Sequence, residues 1–186
     1  PSGKFTDWNG FQVAEPGAVV FKNKVYLYFA AVGFKGDGTE PPFVKRSIGL
    51  VISDDGSTFK SPQKVIEQSS LYPDQNGFQG YSTPAAVFYS DRLHLLYDVF
   101  QYRKGEKPEE HLQVALHHAV SSDGIEWTED STPIFTRESF LWTRREIRSP
   151  SILYDDQKLK MWFAGDDLIA KKLWGIGYAT MPDVKF

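Results

Sequence analysis

The chain has no cysteine in its 186 residues, so it builds neither a disulfide nor a thiolate metal site. It has no apolar run approaching the ~18 residues of a membrane-spanning helix. No window carries apolar residues at helical spacing between capping signals. A basic surplus is also missing. Twenty-one Lys and Arg stand against 24 Asp and Glu, giving a net charge of −3 and a pI near 5.8, which argues against a nucleic-acid footprint. There is no Gly-rich phosphate loop, no zinc motif and no nucleophile elbow. Of the four histidines, His117 and His118 are adjacent on a predicted strand and point to opposite faces, so they do not chelate one ion. No metal, cofactor, nucleic-acid or membrane partner is expected.

What the chain does have is a threefold internal repeat. Pro16, Pro84 and Pro150 recur at intervals of 68 and 66 residues. Each follows a small or acidic residue (Glu15, Thr83, Ser149) and opens an apolar run. A short polar turn, a second apolar-aromatic run, a variable loop and a third run follow. Each repeat then ends on an Asp and an aromatic: Asp55 and Phe59, Asp123 and Trp127, Asp183 and Phe186. The runs are rich in Val, Ile, Tyr, Phe and Trp, and turn residues bound them, as strands and hairpins require. A fixed long period marks one supersecondary unit that buries its faces only by stacking on copies of itself.

The expected fold is therefore all-β: a β-propeller of four-stranded antiparallel blades, three blades per chain. Residues 1–15 form a lone outer strand and lead-in, residues 16–82 blade 1, residues 83–148 blade 2, and residues 149–186 an incomplete blade 3. Closed propellers have about four to eight blades. Two remedies follow. Two copies form a six-bladed homodimeric ring, each N-terminal strand completing the open blade of its partner; or the sequence is a piece of a longer five-bladed protein. The first is the expectation carried forward.

The connections between second and third strands and between successive blades are long, and both kinds leave from one face, where binding and chemistry concentrate. The chain is 15% aromatic, and several of its aromatics fall in or beside these loops, among them Tyr81, Phe100 and Trp142. They are expected to offer a ligand surface.

The run Arg148-Ser149-Pro150-Ser151-Ile152-Leu153-Tyr154, with Lys158-Leu159-Lys160-Met161-Trp162-Phe163-Ala164-Gly165 and Gly175-Ile176-Gly177-Tyr178-Ala179-Thr180, resembles blades of the five-bladed propeller glycosidases. That superfamily groups arabinanase, xylosidase and levansucrase-like enzymes, including families 43 and 32. Ser121-Ser122-Asp123-Gly124-Ile125-Glu126-Trp127 is similar to its third-to-fourth-strand turn. The resemblance implies catalytic acids at or just before the first strands, facing the central channel. On this sequence it points to Glu15 and Glu146 as the carboxyl pair that glycoside hydrolysis requires, with Asp98 beside them on the loop-rich face. Arg148, Thr83, Ser149, Tyr81, Phe100 and Trp142 are the implied ligand contacts. Only Glu15 of the three residues before the prolines is acidic. Three functions stay open: a glycoside hydrolase, a non-catalytic module binding a carbohydrate or another small ligand, and an interaction scaffold.

Overall fold

Three hairpin turns fix the fold's grain. Lys22-Asn23, Ser90-Asp91 and Asp156-Gln157 all sit at positive φ between 49° and 60°, the two-residue turn whose twist matches paired strands. They join β1 (Gln12–Phe21) to β2 (Lys24–Phe34), β5 (Phe78–Tyr89) to β6 (Arg92–Arg103), and β10 (Glu146–Asp155) to β11 (Lys158–Asp166). The structure is a computed structural model, and it describes residues 4, 7–34, 44–67, 69–73, 77–103, 110–167 and 174–181.

Blade 1 adds β3 (Val44–Ser53) and β4 (Gln63–Ile66), all antiparallel. In blade 2, β7 (Glu110–Ser121) pairs with a fourth strand broken into β8 (Thr128–Glu129) and β9 (Phe135–Thr136). The last described strand of blade 3 is β12 (Trp174–Met181). The fold is all-β and propeller-like, and the described sheets do not close into a ring.

Strand β6 shows how the blades stack. Leu93, Leu95, Tyr97 and Val99 join the core against blade 1. The alternate Leu96 packs with Ile147, Met161 and Phe163 of blade 3. A strand covered on both faces reads as a nearly continuous apolar run, which is why its sequence hardly alternates.

Near the axis the first strands approach closely. A Cβ on Gly17 would meet the carbonyl oxygen of Pro84 at 2.0 Å, so only glycine lets blade 1 lie against blade 2 there. The third strand of blade 1 meets the first strand of blade 2 in a parallel bridge, Arg46 opposite Gly80. Gly80 has φ +109°, and any Cβ there would strike the Arg46 carbonyl at 1.9 Å.

Two boundary expectations are corrected. The first strands begin at Gln12, Phe78 and Glu146, ahead of the prolines, because the backbone on both sides of each Pro pairs with the second strand. Residues 1–15 are also not a lone outer strand over their described part. Gln12, Val13 and Ala14 pair with β2 of their own blade, and Trp8 stacks on Phe29 at 6.2 Å. An exposed indole gains more by folding back onto an apolar face of its own blade than by extending into water. Residues 1–3, 5 and 6, which the exchanged strand also included, lie outside the described residues.

Candidate active site

At each X-Pro step the first strand carries one extra residue. The register jumps between Ala14 and Gly17, between Ser82 and Ala85, and between Arg148 and Ser151. The extra residue is the one before proline. Glu15, Thr83 and Ser149 stand at φ 55°, 45° and 54°. A non-glycine residue in that region costs about 1–3 kcal/mol and persists only where its surroundings hold it. Bulges re-aim side chains and recur beside active sites. The repeat therefore builds the same strained device three times and loads it with three different side chains.

Hydrogen bonds tie the three devices together. Ser82 Oγ donates to Glu15 Oε2, and the Thr83 N–H reaches the same oxygen at 3.3 Å. Thr83 Oγ1 donates to Asp98 Oδ2, which also accepts the Ser149 N–H at 3.0 Å. Arg148 Nε donates to Ser149 Oγ at 3.3 Å. The Gln113 amide satisfies both its neighbours only with its nitrogen toward Glu146 Oε2 (2.7 Å) and its oxygen toward Arg148 (3.2 Å). Arg145 closes the set, donating to Glu146 Oε1 at 3.1 Å and to Asp166 Oδ2 at 2.8 Å. Glu15, Thr83, Asp98, Ser149, Arg148 and Glu146 thus belong to one connected polar network.

Asp98 is fully buried and faces Ser82 across the strand pair. Burial pushes its carboxyl up to about 7, against the downward pull of the Thr83 and Ser149 hydrogen bonds; Glu15 adds to the rise and Arg148 opposes it. Its Oδ1 has no protein partner. The residues that face the first strand at this register in blades 1 and 3 are Ala30 and Ala164. Folding the blade therefore does not require an acid at this position, and a buried carboxyl held near neutrality marks a candidate functional group. Glu146 is also raised, chiefly by burial, with Gln113, Arg145 and Arg148 pulling the other way. A carboxyl raised by burial in this way is a candidate general acid.

Arg46 belongs to this site and was not anticipated. Its guanidinium carbon lies 3.8 Å from the centre of the Phe100 ring. Burial lowers its pKa, while Glu15 and Asp98 raise it and Arg148 lowers it further. The sequence signal was only a Lys45-Arg46 pair at a strand end, which reads as a solvated edge.

Three expected ligand contacts sit elsewhere or act differently. Tyr81 is fully buried between blades, bonded to Ser69 Oγ at 3.0 Å and tilted against Tyr97 at 4.7 Å, so it is core and not ligand surface. Trp142 stacks on Phe163 at 5.6 Å and lies where a Cβ on Gly175 would touch it, which makes it a wedge between blades 2 and 3. Phe100 is buried beneath Arg46 and serves as the platform for that cation. Aromatics beside loops met apolar blade faces before they met solvent.

Among the described residues, no three His, Asp or Glu side chains gather closely enough to hold a metal ion.

No protein-family profile matches the chain, and no curated protein matches it. Solved structures do. A family 117 glycoside hydrolase of the marine bacterium Zobellia galactanivorans superposes with a TM-score of 0.73 at 16% identity, over 97% of this chain and 55% of that one. The sucrose-6-phosphate hydrolase of Lactobacillus gasseri gives 0.69 at 15% identity, over 94% of this chain and 33% of that one. A family 32 β-fructofuranosidase of Bombyx mori gives 0.60 at 15% identity, over 93% of this chain and 34% of that one. The chain spans between about a third and about half the length of these proteins. At such identities the likeness is one of fold: the blades of this chain are arranged as in glycoside-hydrolase propellers.

Proposed function

We propose that the chain carries a carbohydrate site at the loop-rich mouth of its channel and that this site hydrolyses a glycosidic bond. The observation that supports the reading most is the position of Asp98, an acid where both other blades place alanine, bonded to two of the three strained pre-proline residues. Glycoside hydrolysis needs one protonated and one ionised carboxyl flanking the bond. Glu146 is the proposed general acid, since burial raises its carboxyl above the ordinary value. Glu15, the acid at a pre-proline bulge, is the proposed nucleophile or base. Asp98 positions Thr83 and Ser149.

The test is a panel of aryl glycosides. Glu15→Gln is expected to lower hydrolysis by at least about a thousandfold with the fold intact, because an amide is neither base nor nucleophile. Glu146→Gln is expected to slow substrates with poor leaving groups far more than activated ones. A wild-type chain that turns over none of the panel would remove the hydrolase reading.

A second reading, a carbohydrate-binding module without turnover, draws on a specific observation: Thr83 and Ser149 hold two of the three equivalent positions. Binding without hydrolysis would favour it.

A further inference from the structure

The acids of the site are already engaged, and among the described residues two of its cations have no carboxylate partner. Glu15 accepts from Ser82 and Thr83, Asp98 from Thr83 and Ser149, and Glu146 from Gln113 and Arg145. Among the described residues, neither Arg46 nor Arg148 has a carboxylate within ion-pair distance. The Nε of Arg46 is buried without any hydrogen-bond partner. The guanidinium is nevertheless held in place, one face on the Phe100 ring and its backbone bridged to Gly80. Arg148 stands within electrostatic reach of it and lies 5.6 Å from the Trp174 ring.

A desolvated guanidinium donor left unpaired is costly, and such a cost persists where a ligand relieves it. If these arginines served only to balance Glu15 and Asp98, direct ion pairs would be the economical arrangement. Instead hydroxyls and backbone N–H groups take one oxygen of each carboxylate, Glu15 Oε2 and Asp98 Oδ2. The planar fork of arginine matches a carboxylate with two parallel hydrogen bonds, a match that a neutral hydroxymethyl group does not offer.

We propose that Arg46 and Arg148 form a carboxylate-recognition subsite, so that the sugar taken by this channel is an acidic one of the hexuronate class. The inference rests on the carbohydrate reading above and narrows it. Arg46 is the specificity residue. Arg148, already bonded to Ser149 and Gln113, supports the same negative group from the other side.

The experiment titrates the full chain with methyl galacturonide and methyl glucuronide and with their neutral parents, methyl galactoside and methyl glucoside. Indole fluorescence and calorimetry are the readouts. The uronides are expected to bind about tenfold or more tightly than the neutral parents. Arg46→Met, which keeps an apolar stem on Phe100, is expected to shrink that ratio to within about twofold. Arg46→Lys is expected to keep part of it, and added salt to reduce it. Thermal melting checks that each variant is folded; should Arg46→Met fail to fold, Arg46→Lys and the salt series carry the test.

Equal affinity for acidic and neutral sugars in the wild type overturns the inference and leaves the carbohydrate reading standing. A uronide preference undiminished in folded Arg46→Met also overturns it. An Arg46-dependent response to acetate, with no sugar distinguished from another, keeps the carboxylate subsite and removes the sugar. Silence toward every probe overturns both.

Discussion

Blade 2 departs from blades 1 and 3 at two neighbouring points, and the departures separate what the repeat needs from what the site needs. Opposite each pre-proline bulge, blades 1 and 3 place Ala30 and Ala164, and blade 2 places Asp98. One step along, blades 1 and 3 lay a phenylalanine across a glycine, Phe29 opposite Gly49 and Phe163 opposite Gly177. Blade 2 sets Tyr97 opposite His117, ring stacked on ring at 5.7 Å. The two glycines are obligatory in their own blades, since a Cβ at Gly49 or Gly177 would lie 2.4 or 2.3 Å from the facing ring. Blade 2 has been rebuilt around its acid, and it is also the blade covered on both faces.

Enclosure should show first in stability. Phe59 and Trp127 occupy the same place after two identical turns. Asp55 accepts N–H bonds from Ser57 and Thr58 at 2.8 and 2.7 Å, and Asp123 accepts them from Ile125 and Glu126 at 2.8 and 2.9 Å. Yet Phe59 is 39% exposed, and Trp127 packs edge-on to Tyr28 of blade 1 at 5.6 Å. Trp127→Ala is expected to cost about 3–5 kcal/mol in denaturant unfolding and Phe59→Ala less than about 1. Similar losses at both positions would erase the distinction between enclosed and open blades.

Restoring the residue of the repeat to blade 2 sharpens the comparison. The carboxyl of Asp98 is raised to about 7 in the fold from an ordinary value of 3.8. Between these pH values the folded chain keeps a proton that the unfolded chain has lost. The contribution of Asp98 to stability is therefore full below the lower value and is lost as pH rises through the upper one. Asp98→Ala should accordingly gain on the wild type between pH 4 and pH 8 by up to about 4 kcal/mol. His94, lowered to about 4 by burial against His118, runs the opposite way: its contribution is lost as pH falls below 6.5. It is present in both chains and cancels in the difference. A stability difference between the two chains that stays flat from pH 4 to pH 8 would show that Asp98 is not buried as described.

Much of this fold was legible in the sequence. The Pro spacing, the hairpin residues and the Asp-Gly turns are local signals, and each marks a backbone conformation that few residues adopt. The bulges were not legible, because proline reads as the start of a strand when it stands just past an extra residue within one. Glu15, Thr83 and Ser149 stood out only as the residues before proline. Their shared positive φ is a consequence of pairing on both sides. Tyr81 and Trp142 misled because sequence does not tell which face of a blade another blade will cover. Arg46 was missed because its significance lies in the Phe100 ring beneath it, 54 positions away in the chain.

The glycine–aromatic pairs test the comparison from the side of blade 3. Gly177→Ala must push Phe163, which is stacked under Trp142 and Phe140, out of place. Overpacking of that kind costs about 1–3 kcal/mol. Thermal melting measures it. No loss would mean that the blade 2–blade 3 junction is looser than its stacked rings suggest.

The smallest effect on stability tests the open faces. On blade 3, Ile176 is 81% exposed, flanked by Trp174 at 53% and Tyr178 at 55%. At the other end of the arc, Val13, Pro16, Leu27, Phe29 and Val51 line a largely apolar groove of about 670 Å³ on blade 1. Inside the chain, surfaces of this kind are covered by the next blade. A second copy set in sequence would offer the blade 3 face of one chain to the groove of the other, a head-to-tail contact that must occur twice for the ring to close. Ile176→Lys removes no buried contact within the chain, so its unfolding free energy should change by less than about 0.5 kcal/mol. Its sedimentation should change far more, from dimer toward monomer at micromolar concentration, because a lysine ammonium does not enter an apolar groove without losing its water. A wild-type chain that already sediments as a monomer would remove the second copy as the cover of these faces, and would leave the enclosure of blade 2 as a property of the single chain.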